Sequence, residues 1–198
     1  MIKDKISDWR RDIDLYRRMT DIESVSRRYF VIGFFDGVLT ILGMITGAHL
    51  SGEASSKLII SAGVATALAL GISSAWGAFE AERIEQHISK TEKERALCVN
   101  SRESALDRAH KFAAYISSII HGVAPIIAAV FPLAPYLFLP ESEAFLIAMI
   151  MGLVSLFIVG STMGKVAKLN IIASGVRMLL AGIATMLIVT LLSPSHFV

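Results

Sequence analysis

The stretch Tyr29–Leu50, YFVIGFFDGVLTILGMITGAHL, decides how the chain is read. It is an apolar run of about 22 residues, enough to cross a hydrocarbon core of about 30 Å as a helix. It nevertheless carries Asp36. A carboxylate at membrane depth costs several kcal/mol unless it faces a partner or a wet cavity. At about 100° per residue, Gly33, Asp36, Gly37, Thr40, Gly43, Met44 and Gly47 fall within an arc of about 120°. Phe34, Val38, Ile41, Leu42 and Ile45 point elsewhere. The expectation is a helix whose small, polar, sulfur-bearing face lines something inside the protein and whose bulky back meets lipid.

Around this stretch the whole chain is apolar. Of 198 residues, 54% are hydrophobic and 18% charged, with a mean hydropathy of +0.62. That is too apolar for an ordinary soluble domain. Four more runs have spanning length: Leu58–Phe79, Phe112–Leu139, Ala144–Met163 and Leu169–Leu192. The fold class read from this is an all-α membrane protein with five transmembrane helices. A soluble helical bundle fits less well, because buried core helices rarely run this long without charges. The first 28 residues are densely charged and the run that follows is long enough to span, so no secretory signal peptide is read. The single cysteine, Cys98, lies in a charged segment, which fits a reducing compartment.

Basic residues choose an orientation. Eight of the 19 Lys and Arg precede the first span, and seven lie between Arg83 and Lys111. Lys165 and Lys168 fall between spans four and five, whereas the opposite connectors hold only Lys57. Alternate loops are therefore basic. The N-terminus is expected in the cytosol and the C-terminus outside. The net charge of +2 follows from this asymmetry and gives no reason to invoke nucleic acid.

Five segments result. Residues 1–28 carry Ile2, Ile6, Trp9, Ile13 and Tyr16 on one helical face. This reads as a cytoplasmic amphipathic helix, either lying on the membrane or packing on the protein's own inner side. Residues 29–79 hold spans one and two. Residues 80–111 form a cytoplasmic helical insert, because FEAERIEQHISKTEKERA has no Gly or Pro to end the second helix at Phe79. Residues 112–192 hold spans three to five, and 193–198 an outer tail. Pro125, Pro132 and Pro135 interrupt span three, and FPLAPYLFLP reads as a turn at the outer interface. Gly160 and Gly164 read as a close-packing pair.

Two groups of residues carry candidate chemistry. Asp36 lies about 11 Å into its span at 1.5 Å per residue, and Arg177 lies at a comparable depth in span five. A structural ion pair between Asp36 and Arg177 therefore competes with a cation site or proton relay at Asp36. Met44 adds a thioether; a soft ligand beside a hard carboxylate suits a borderline divalent metal better than an alkali cation. The second group follows span two. Glu82 and Glu85 are three apart on one helical face, with Glu80 at the membrane edge. Glu92, Glu94, Glu103 and Asp107 follow, with His87 and His110 nearby. Carboxylate and imidazole at this spacing hold Fe²⁺, Mn²⁺ or Zn²⁺, although interleaved Lys and Arg also describe a salt-bridged solvated helix. His121 reads as a hydrogen-bonded structural histidine or a proton-handling one. No P-loop, dinucleotide fingerprint, CxxC or nucleophile-elbow motif is present, so the chain is not read as an enzyme.

VIGFFDGVLTILGMITG, residues 31–47, resembles the first span of the vacuolar iron transporter family, which carries an Asp-Gly pair and spaced glycines there. GISSAWGAFEAE at 71–82, HGVAPIIAAVFPLAPYL at 121–137 and SGVRMLLAGIATMLI at 174–188 are similar to its second, third and last spans. The resemblance implies a homodimer with span one at the interface, exporting Fe²⁺ or Mn²⁺ from the cytosol by proton antiport, with no permanent cofactor. It implies a path along Asp36, Gly37, Thr40, Gly43 and Met44, and metal contacts at Asp36, Met44, Glu80, Glu82 and Glu85. The chain departs from the family's Ser-Met-Ala-x-Gly-Glu pattern at Ser74 and Ala78, and its insert is short. The alternative reading is a membrane scaffold or metal sensor that does not transport, with Asp36 and Arg177 as a structural pair.

Overall fold

A computed structural model describes residues 20–52, 55–97 and 105–192. The amphipathic face from Ile2 to Tyr16, Cys98, Glu103 and the tail 193–198 lie outside the described residues. The described chain folds into long helices: α1 (Ile22–Leu50), α2 (Ser56–Leu97), α3 (Ala105–Leu133), α4 (Glu141–Val166) and α5 (Ile171–Leu191). All five are long and apolar enough to cross a membrane.

Local sequence explains where these helices run and stop. α2 continues from Ser56 to Leu97 as one helix of 42 residues, because nothing after Gly77 breaks it. α3 contains Pro125 and Pro132, both fully buried, and neither can donate to the helical ladder. It ends at Leu133 in a short 3₁₀ turn, Ala134–Leu137, where the Pro135 carbonyl accepts from the Phe138 and Leu139 amides at 3.1 and 3.0 Å. Pro140 then precedes α4, and Glu141 and Glu143 occupy its first turn, where the helix dipole favours negative charge. At the far end of α4, Lys168 adopts φ 56° and the Leu169 amide donates to the Gly164 carbonyl at 2.9 Å. This left-handed residue stops the helix. Asn170 starts α5, its side chain accepting from the Ile172 and Ala173 amides at 3.1 Å each.

The chain divides into two compact units. The first is drawn from residues 1–30 and 72–123. In its described part, α2 and α3 run antiparallel: Phe79 meets the Tyr115 ring at 5.1 Å, and Gln86 Nε2 donates to the His110 carbonyl at 2.9 Å. Ala78, Ala109, Ala114, Ser117 and Ser118 are buried, small side chains that let helices approach closely. The two serine hydroxyls donate to the Ala114 carbonyl within their own helix.

The second unit is drawn from residues 31–71 and 124–198. Here α1 and α4 cross antiparallel. Leu42 fills the space over Gly152, Thr46 Oγ1 lies 3.8 Å from Met149 Sδ, and His49 stacks on Phe145 at 3.8 Å and 12°. α4 also packs on α5. A Cβ on Gly160 would sit 2.7 Å from the Ser174 carbonyl oxygen and 3.0 Å from Gly175 Cα, so this pair does set a backbone-to-backbone approach. Among the described residues of α5 only Gly175 and Gly182 are buried, and both face α4.

One expectation is corrected. Phe34, Val38, Ile41, Leu42 and Ile45, expected to face lipid, are the most deeply buried face of α1. Thr40, Gly43, Met44 and Gly47 are only half-buried. Periodicity separates the two faces of a helix but does not say which is inward when lipid is as apolar as the core. The large side chains went inward because neighbours left room for them: Leu42 over Gly152, and Phe34 against Phe131 with ring centroids 5.9 Å apart.

Candidate functional site

Asp36 sits half-buried in the middle of α1, with Thr40, Gly43 and Met44 on the following turns of the same face. The glycines around it are not equivalent. Gly37 is buried, and a Cβ there would lie 2.6 Å from Pro125 Cα and 2.8 Å from its carbonyl oxygen. Gly37 is where α1 and α3 touch backbone to backbone. Gly43 and Gly47 are looser, with nearest neighbours on Val189 at 3.7 and 3.9 Å. Open space on this face thus begins beyond Gly37, toward Thr40 and Met44.

The acidic candidates after span two lie in the first unit. Glu82 and Glu85 both line a cavity of about 990 Å³, with His87, His110, Asp21 and Asp107 on its wall. Arg83, Lys90 and Lys111 line it too, so its charge is mixed. Glu80 is not on this wall; its carboxylate accepts from Arg83 Nη1 at 3.2 Å at the surface. Glu94 pairs with Lys90 at 3.9 Å. Among the described residues no three His, Cys, Asp or Glu side chains converge closely enough to hold a metal ion.

Sequence reasoning missed the most specific contact. Tyr29, at the start of the apolar run, donates its hydroxyl to Glu82 Oε1 at 2.8 Å. Its ring lies 5.2 Å from the His121 ring, and His121 Nδ1 donates to the Tyr29 carbonyl at 2.9 Å. That bond fixes the orientation of the His121 ring. The signal was present: a tyrosine at a span boundary places an apolar body and a polar tip where they can reach different surroundings. Asp21 was missed as well, because it precedes the apolar run.

A model of the VIT family matches residues 27–109 and 80–193, which include α1 from Arg27 onward and all of α2 to α5. This chain belongs to the VIT family, the vacuolar iron transporters. An uncharacterized protein of Methanocaldococcus jannaschii is 32% identical over 160 residues, 79% of this chain and 83% of its own length. With five helices of spanning length, this VIT-family chain is an integral membrane protein.

Membership points to membrane transport of metal rather than to enzymatic chemistry. The chain's departures from the family pattern now have positions. Ala78, where the pattern has Glu, is buried at 6% exposure. Glu80 is two residues on, about 200° around the helix, and is occupied by Arg83. It therefore points away from the direction that a carboxylate at position 78 would take. Arg177 is exposed on α5 and lines a second, smaller cavity together with Phe35 of α1.

Proposed function

We propose that this VIT-family protein exports divalent metal, Fe²⁺ or Mn²⁺, from the cytosol by proton antiport, as a homodimer with α1 at its interface. One observation carries the reading. The small face of α1 that holds Asp36, Thr40, Gly43 and Met44 is left half-buried, while the opposite, bulky face of the same helix is fully packed. A helix with its polar stripe part-open suits a path completed by the same stripe of a second copy. Carboxylate and thioether on that stripe suit a borderline divalent ion.

In this reading the N-terminus and the 80–111 insert face the cytosol. Metal meets Glu82 and Glu85 at the wall of the large cavity, then passes Asp36 and Met44. Protonation of Asp36 releases the ion, and its deprotonation accepts the next one. Glu80 contributes negative potential at the membrane edge but is no substitute for a ligand at Ala78.

The test is Fe²⁺ and Mn²⁺ uptake into proteoliposomes holding the purified protein, with an internal metal dye and an imposed pH gradient. Expected is a gradient-dependent flux that Asp36→Ala abolishes. Undiminished flux in Asp36→Ala removes Asp36 from the path. No flux of either ion from folded dimer moves the scaffold or sensor reading ahead.

A further inference from the structure

Arg177 has no role in the export reading. It lines a groove of about 420 Å³ between α4, α5 and α1, whose other walls include Phe35, Met163, Leu169 and Met178. Ser174 adds a hydroxyl to the same groove. Apolar walls with one guanidinium are the chemistry of an acyl chain and a phosphate held together. Among the described residues Arg177 has no hydrogen-bond or ion-pair partner, and its side chain is exposed.

We propose that this groove binds an anionic phospholipid, with its phosphate on Arg177 and one acyl chain along Phe35, Met163 and Met178. Depth supports this. Arg177 is the seventh residue of α5, about 9 Å along the axis from the helix start. Helical side chains tilt toward the N-terminus, and a long arginine reaches further that way, bringing the guanidinium up to the headgroup layer. Charge supports it too. From Ala144 to Val198 the chain carries Lys165, Lys168 and Arg177 and no Asp or Glu. Both lysines are exposed, Lys165 in the last turn of α4 and Lys168 on the α4–α5 turn, beside the groove residues Gly164, Ala167 and Leu169. Three cations with no carboxylate near them in sequence select a headgroup of net negative charge over a zwitterionic one. The amides at the start of α5 are already capped by Asn170, so the site stands on its side chains and not on a helix end.

The inference does not depend on transport, and its test needs none. The full chain in detergent is titrated with equal amounts of dioleoyl phosphatidylglycerol and dioleoyl phosphatidylcholine, and retained lipid is counted by native mass spectrometry. Expected is at least one phosphatidylglycerol per chain, bound about fivefold or more in preference to phosphatidylcholine. Arg177→Gln loses the preference. If that variant does not fold, the Lys165→Gln, Lys168→Gln double variant carries the test and is expected to lower the preference. Equal retention of the two lipids overturns the proposal, as does a preference that neither change reduces. It is also overturned if Asp36→Asn restores stability lost in Arg177→Gln while lipid selectivity stays unchanged, which would assign Arg177 to Asp36.

Discussion

The Tyr29 hydroxyl donates to Glu82 Oε1 at 2.8 Å, joining residues 53 positions apart on α1 and α2. A hydrogen bond to a charged group is worth about 1.5–3 kcal/mol when well sheltered, and less here because both side chains are only half-buried. Tyr29→Phe keeps the ring beside His121 and removes only the donor. The expected outcome is a fall in thermal stability equivalent to about 1 kcal/mol, read as a lower unfolding midpoint in detergent. A midpoint that does not move would show that water serves Glu82 equally well.

Glu80 and Glu82 should separate when each is changed to Gln. The Glu80–Arg83 pair is exposed, with side chains 35% and 68% accessible, and exposed pairs of this kind contribute about 0–1 kcal/mol. Glu80→Gln is expected to leave stability unchanged, whereas Glu82→Gln weakens the Tyr29 contact and raises the metal concentration needed for half-maximal uptake. Equal effects of both on uptake would place Glu80 on the metal's route after all.

Gly37 and Gly43 should respond in opposite ways to alanine. A Cβ at Gly37 meets Pro125 backbone at 2.6 Å, which cannot swing aside, so Gly37→Ala is expected to destabilise by about 1–3 kcal/mol or more. At Gly43 the nearest atom is 3.7 Å away, and alanine also gains about 1 kcal/mol of helix propensity. Gly43→Ala should be neutral or stabilising. Thermal unfolding of the two variants side by side checks the contrast, and a tolerant Gly37 would refute the α1–α3 contact.

On α4, Gly160→Ala is expected to separate α4 from α5, because its Cβ would press on the Ser174 carbonyl and Gly175 Cα. The loss should again be about 1–3 kcal/mol. Protease accessibility of α5 should rise with it; unchanged protection and midpoint would mean that α5 shifts at no cost.

Much of this architecture was legible in the sequence because lipid makes a strict demand: a spanning run must be apolar for about 20 residues. The five runs, the continuation of α2 past Phe79 and the turn around Pro135 all follow from composition and from helix-breaking residues. Glu82 and Glu85 share a cavity wall, as their spacing of three suggested. What stayed hidden depends on neighbours distant in sequence. Which face of α1 is buried was decided by Gly152 on α4, and the partner of Glu82 was decided by Tyr29. Gly37 lies on the small face expected to line a path, yet its lack of a side chain is consumed by Pro125. A glycine in a span marks closeness as readily as vacancy, and one chain's sequence does not distinguish the two.

The attachment of α5 through Gly175 and Gly182 has a consequence for how this helix can change over time. Two positions seven residues apart hold it to α4, while Ile172, Leu180, Leu187, Ile188 and Leu191 stand exposed. Those outer positions answer only to oil solubility, so one aliphatic residue there is as good as another. Divergence among descendants of this chain should therefore run freely at those outer aliphatic positions of α5 and halt at its two buried glycines.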